Sequence, residues 1–179
     1  SDKNKSLEVY ERKDIIPKSI DSTTCVLAGH KEDYLLRMCR EHRITTENLN
    51  KLIELKRDYS TSFPRMIDLR EEGYSIRDIE QFLKTREIIR EDSTSDREVP
   101  SLEKISDLYA RFGEGPVEAG VFADQINQLT LSLKLPFTDW TIQRAIEIGE
   151  SIEAPSLTAI VDHLSQSSRL NHDPRENDE

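Results

Sequence analysis

Apolar residues recur along this chain at intervals of three and four, the spacing that lines one side of an α-helix. Met66, Ile67 and Leu69 form one such set, and Ile76, Ile79, Phe82 and Leu83 form the next. Between them stand Gly73, which can turn left-handed to end a helix, and Ser75, whose hydroxyl can cap the following one. Thr61 to Arg86 is therefore predicted as two helices joined by a tight turn. The spacing continues in Leu102, Ile105, Leu108, Tyr109 and Phe112. A longer stretch carries Val121, Phe122, Ile126, Leu129 and Leu133 on one side. Leu157, Ile160, Val161 and Leu164 place a last helix inward. From Cys25 to Arg40, Val26, Leu27, Tyr34, Leu35 and Met38 suggest a single early one, starting near Lys31. No segment predicts a strand.

Three helix starts share one grammar. Ile44-Thr45 leads to Leu49, Leu52 and Ile53; Tyr74-Ser75 leads to Ile79, Phe82 and Leu83; Phe137-Thr138 leads to Ile142, Ala145 and Ile146. In each, a hydroxyl caps free amides and the apolar residue before it packs on the fourth helical residue, a hydrophobic staple. The intervals between copies are unequal, which argues against a solenoid repeat. Weaker starts lie at Ser62-Phe63-Pro64, at Pro100-Ser101-Leu102 and at Pro155-Ser156. Trp140, in the first turn of its helix, is expected to be half-buried against the preceding apolar segment.

These signals predict an all-α fold, an irregular multi-helix bundle of about eight helices with flexible N- and C-terminal tails. Residues 1–24, with a turn-like DSTT, are expected to be a flexible or extended arm whose Leu7, Val9, Ile15 and Ile16 cover part of the core. A helical subdomain over 25–92 follows, then a linker at 93–100 in the polar EDSTSDREVP run, an acidic helical subdomain over 101–165, and a disordered tail over 166–179.

Composition narrows the function more than it names it. The 179 residues are 35% hydrophobic and 34% charged, a lean core under wet helical faces. The net charge of -10 sits in the C-terminal half: residues 96–179 hold 7 basic and 16 acidic groups. That half repels a phosphate backbone, whereas residues 31–95 are near neutral and rich in Arg. Cys25 and Cys39 are too few for a disulfide scaffold and fit no metal spacing, so both are expected to be reduced thiols of an intracellular, cytoplasmic protein. No apolar run reaches the ~20 residues of a membrane span. His30, His42, His163 and His172 fall in no ligand spacing. Cys39 and His42 lie one turn apart, a geometry that can activate a thiolate, but no third group joins them.

Two local resemblances add alternatives. The Leu69–Ile79 run, LREEGYSIRDI, resembles the first-helix end and second-helix start of resolvase-type and transposase-type helix-turn-helix domains. That resemblance implies DNA binding through Arg77, Lys84, Arg86 and Arg90, although no glycine turn follows Phe82-Leu83-Lys84-Thr85 to set off a reading helix. The helix order of residues 102–164 resembles a pair of EF-hands. Gly, Pro, Val and Ala stand where calcium-binding carboxylates belong, so this layout implies a module that does not bind calcium. The Gly113–Pro116 run has neither the preceding strand nor the Gly-Lys-Ser/Thr ending of a phosphate loop.

The residues lead to a non-enzymatic, helical protein–protein interaction or regulatory domain, an adaptor or a complex subunit. Its expected partner is another protein, met by an apolar face around Phe122, Ile126, Leu129 and Leu133, or around Trp140. The alternatives are the helix-turn-helix regulator, the calcium-free EF-hand-like module, and an all-α enzyme whose carboxylates come together from distant positions. No cofactor and no metal is expected.

Overall fold

Hydroxyl caps and left-handed residues set where the helices begin and end in this computed structural model. It describes residues 14–92, 99–114, 118–135 and 138–170. Among them the chain is all-helical, with nine α-helices and no strand: α1 Ser22–Ala28, α2 Glu32–Glu41, α3 Thr46–Asp58, α4 Phe63–Glu71, α5 Ile76–Asp92, α6 Leu102–Phe112, α7 Ala119–Leu133, α8 Asp139–Glu150 and α9 Leu157–Leu170. The chain forms two compact units, Ser1–Glu80 and Gln81–Glu179. The division falls inside α5, upstream of the linker expected at 93–100, of which 93–98 lie outside the described residues.

In the first unit the predicted caps are in place. The Asn48 amide donates to Thr45 Oγ1 and the Arg65 amide to Ser62 Oγ. Ser75 and Asp78 exchange backbone-to-side-chain bonds in both directions, a reciprocal cap. The short α1 departs from expectation. DSTT starts a helix instead of a turn, because the Asp21 carboxylate accepts from the Thr24 amide at 2.7 Å and Gly29, at φ 76°, ends it after seven residues. Ile15 is 46% exposed, and its carbonyl accepts from the Thr46 amide; Leu7 and Val9 lie outside the described residues.

Like helices of this unit lie side by side and point the same way. At their starts, Tyr34 of α2 meets Phe63 of α4, ring centroids 6.4 Å apart. At their ends, His42 Nε2 stands 3.7 Å from Glu71 Oε1. Lys51 of α3 likewise reaches Glu80 of α5 at 2.8 Å. So α2 and α4 run parallel, and α3 meets the start of α5 through Lys51 and Glu80. Their turns match. Arg43 (φ 52°) and Gly73 (φ 103°) are both left-handed. The Ile44 amide donates to the Cys39 carbonyl and the Tyr74 amide to the Leu69 carbonyl, the six-to-one closure of a Schellman turn. Arg70 joins the two turns, donating from Nη1 to the Tyr74 carbonyl and from Nη2 to the His42 carbonyl, at 3.0 and 3.1 Å.

The second unit follows the same plan at a longer register. The Ser101 amide donates to Asp139, Lys104 Nζ donates to Gln143, and Arg111 pairs with Glu150 at 2.7 Å, so α6 runs parallel to α8 along its whole length. Near their ends Gly149 lies directly against the Phe112 ring. α9 packs on α7 and on α8. Phe82, Tyr109 and Phe122 form an edge-to-face aromatic trio, with centroids 5.5 to 6.5 Å apart. The buried hydroxyls of Thr85, Ser106 and Thr141 each donate to a backbone carbonyl. Unequal intervals between helix starts had argued against repeats. The packing nonetheless pairs α6 with α8 and α7 with α9 in the second unit. α9 also continues to Leu170, into the stretch expected to be tail; residues 171–179 lie outside the described ones.

Candidate interaction surface

The faces of α7 and α8 follow from their apolar positions. On α7, Phe122, Ala123, Ile126 and Leu129 are buried and Leu133 is half-buried. Four of the five residues expected to meet a partner therefore lie wholly or partly inside the fold, Phe122 in the aromatic trio. Val121 had been placed on that same side. It is one position and about 100° round the helix from Phe122, and it is 57% exposed. Leu131 is 77% exposed and Leu135 also faces solvent.

On α8, Ile142, Ala145, Ile146 and Gly149 turn inward. Trp140, Gln143, Arg144 and Glu147 form the opposite, exposed face. Trp140 is 65% exposed, more than the half-burial expected, because it falls on the outer side of the helix that Ile142 and Ala145 anchor. Asp139, its neighbour, is fixed by the Ser101 amide, and Arg144 lies 3.6 Å from Glu147. The surface is thus a large indole at the head of a row of polar and charged side chains. In the first unit Val26 and Leu27 are also exposed, beside a shallow groove lined by Ile20, Cys25 and His30.

The side chains of the DNA-binding alternative diverge. Arg77 and Lys84 project about 20° apart on α5, while Arg86 and Arg90 lie roughly opposite them. α5 runs unbroken from Ile76 to Asp92, so no separate reading helix follows the hairpin. In the EF-hand-like stretch, α8 and α9 are joined by Ser151–Ser156, shorter than a calcium loop of about twelve residues. Among the described residues no three His, Cys, Asp or Glu side chains converge as metal ligands.

No protein-family model matches this chain, and no curated protein or solved structure matches it.

The thiols are correspondingly quiet. Burial pushes Cys39 up to about 11, so its sulfur stays protonated at neutral pH. Cys25 is also raised, by burial first and then by Glu32 and Asp21. Among the described residues no helix is long and apolar enough to cross a membrane.

Sequence reasoning singled out Trp140, which is exposed, and did not place Val121 and Leu131 on the outer face. A helical wheel carried the signal: Phe122, Ile126, Leu129 and Leu133 make one stripe, and Val121 and Leu131 fall off it.

Proposed function

We propose that the chain is a non-enzymatic protein–protein interaction domain, an adaptor or complex subunit of the cytoplasm that engages another protein through the Trp140 face of α8. The observation that supports this reading is the 65% exposure of Trp140 among Gln143, Arg144 and Glu147. An indole left in water forgoes a burial free energy of about 2–3 kcal/mol. A rigid aromatic with a polar rim is the form that binding hot spots take.

The test is a photo-crosslinking residue placed at 140 and, as a control, at 144 in cells. A crosslink to one protein from 140 alone is expected. Trp140→Ala should then weaken that complex about thirtyfold or more while leaving the melting temperature unchanged. A partner held equally well by Trp140→Ala, or the absence of any crosslink specific to 140, refutes the reading.

A further inference from the structure

The connection between α3 and α4 is basic on a chain whose net charge is -10. Three cations, Lys56, Arg57 and Arg65, and one carboxylate, Asp58, line a hollow of about 580 Å³ there. Ser60, Thr61 and Ser62 add hydroxyls to its wall. Lys56 is committed to α1, its Nζ donating to the Leu27 carbonyl at 3.2 Å. Arg57 and Arg65 are exposed. Arg57 Nε donates to Asp58 Oδ1 at 3.0 Å, and a guanidinium has further donors on its two Nη atoms. Thr61 Oγ1 is buried and has no hydrogen-bond partner, a condition that costs free energy and that an acceptor beside it relieves.

We propose that this hollow binds a phosphate monoester. Guanidinium groups match the paired oxygens of a phosphate, and the hydroxyls supply donors for the oxygens that remain. A carboxylate ligand has two oxygens and would leave most of these donors unused. Asp58 carries one negative charge and a phosphate monoester about two at neutral pH, so the ligand displaces Asp58 from Arg57. The volume lies within the range of small-molecule sites, about 300–1,000 Å³, and leaves room for the organic part of an ester. The net charge of the chain opposes an anion at long range, so binding depends on these contacts and not on steering. The hollow belongs to the first unit, shares no residue with the Trp140 face and does not rest on that reading.

Inorganic phosphate, titrated into the isotope-labelled full chain at constant ionic strength and followed by amide chemical shifts, tests it. Saturable shifts confined to residues 56–65 are expected. Arg57→Gln and Arg65→Gln should each weaken binding about tenfold, with circular dichroism unchanged because both side chains are exposed. Asp58→Asn should tighten it, since it removes the competing carboxylate. Glycerol 3-phosphate and a phosphoserine tripeptide then separate two sources of the group, a small phosphorylated molecule and a phosphorylated protein side chain, and the tighter of the two names the source. Shifts that do not saturate overturn the proposal. So does binding that survives Arg57→Gln combined with Arg65→Gln, an Asp58→Asn variant that binds no better, or a weaker response to both esters than to inorganic phosphate.

Discussion

Gly149 offers the sharpest check on how α6 and α8 pack. It lies in the last turn of α8 and is buried. On helix preference alone, Gly149→Ala stabilises: alanine in a helix interior is worth about 1 kcal/mol over glycine. The packing reverses the sign. A Cβ at this position stands less than 3.0 Å from Cζ, Cε1 and Cε2 of the Phe112 ring, closer than real Cβ contacts come. Phe112 is only 5% exposed, so its ring cannot swing into solvent. Overpacking of this kind costs about 1–3 kcal/mol. The net expectation is a loss of about 1 kcal/mol, against a gain of about 1 kcal/mol if the ring were elsewhere. At about 2–4 °C per kcal/mol for a chain of this size, the two outcomes differ in direction and by several degrees.

Trp140 is the chain's single tryptophan and lies on the same helix, so its fluorescence follows the melt of the unit that contains the change. Phe112→Leu supplies the second arm. Alone it destabilises modestly; combined with Gly149→Ala it removes the ring that the new methyl would strike. The double-mutant cycle should show a favourable coupling of about 1 kcal/mol or more. A raised midpoint in Gly149→Ala, or strictly additive effects, would refute the placement of Phe112 against α8.

The two matched turns give further expectations. Arg43→Gly should stabilise by about 0.5–1 kcal/mol in urea unfolding, because an L-residue held left-handed gives way to the residue that Gly73 already supplies. Arg70→Lys should destabilise by about 1–3 kcal/mol, since one ammonium cannot hold the His42 and Tyr74 carbonyls together as the guanidinium fork does. Asp21 is held below the ordinary aspartate range by its hydrogen bonds with Thr24. Its contribution to α1 is therefore present above that range and lost as pH falls through the lowered value, and a fall in the protection of the Thr24 amide relative to its intrinsic exchange rate should report it, absent in Asp21→Asn. Cys39, pushed up to about 11 by burial, should resist alkylation at neutral pH until the chain unfolds, while a fast reaction in the native state would contradict its burial.

Much of the helical layout was legible in the sequence, because it is written in local chemistry. Thr45, Ser62, Ser75, Ser101 and Ser156 each bond an amide three residues on, as a cap must. Gly73 turns left-handed where the turn needs it. The misreadings have equally local causes. The DSTT run suits both a turn and a cap, and only the Gly29 stop decides between them. Arg43 was passed over because a left-handed arginine has no sequence mark; its role shows only beside Gly73, thirty positions on. Val121 was counted inward because it adjoins Phe122, yet neighbours in sequence point about 100° apart on a helix.

The stacking of hairpins was not legible, and the reason bears on where function can sit. In the first unit the helices are held by pairs such as Lys51 with Glu80, and in the second by pairs such as Arg111 with Glu150. Nothing in either partner's local sequence names the other, and the interval between them differs from one unit to the next. Each hairpin nonetheless buries its inner stripe against its neighbour: Leu35 and Leu69, Leu108 and Ile146 are all nearly inaccessible. Folding by stacking therefore consumes one face of each helix and imposes little on the other. An apolar side chain on the outer face gains nothing from the fold itself. Scattered single residues of that kind are ordinary. Trp140, at the head of the exposed row that Gln143, Arg144 and Glu147 continue, is patterned, and pattern on a face the fold does not use is what a binding surface requires.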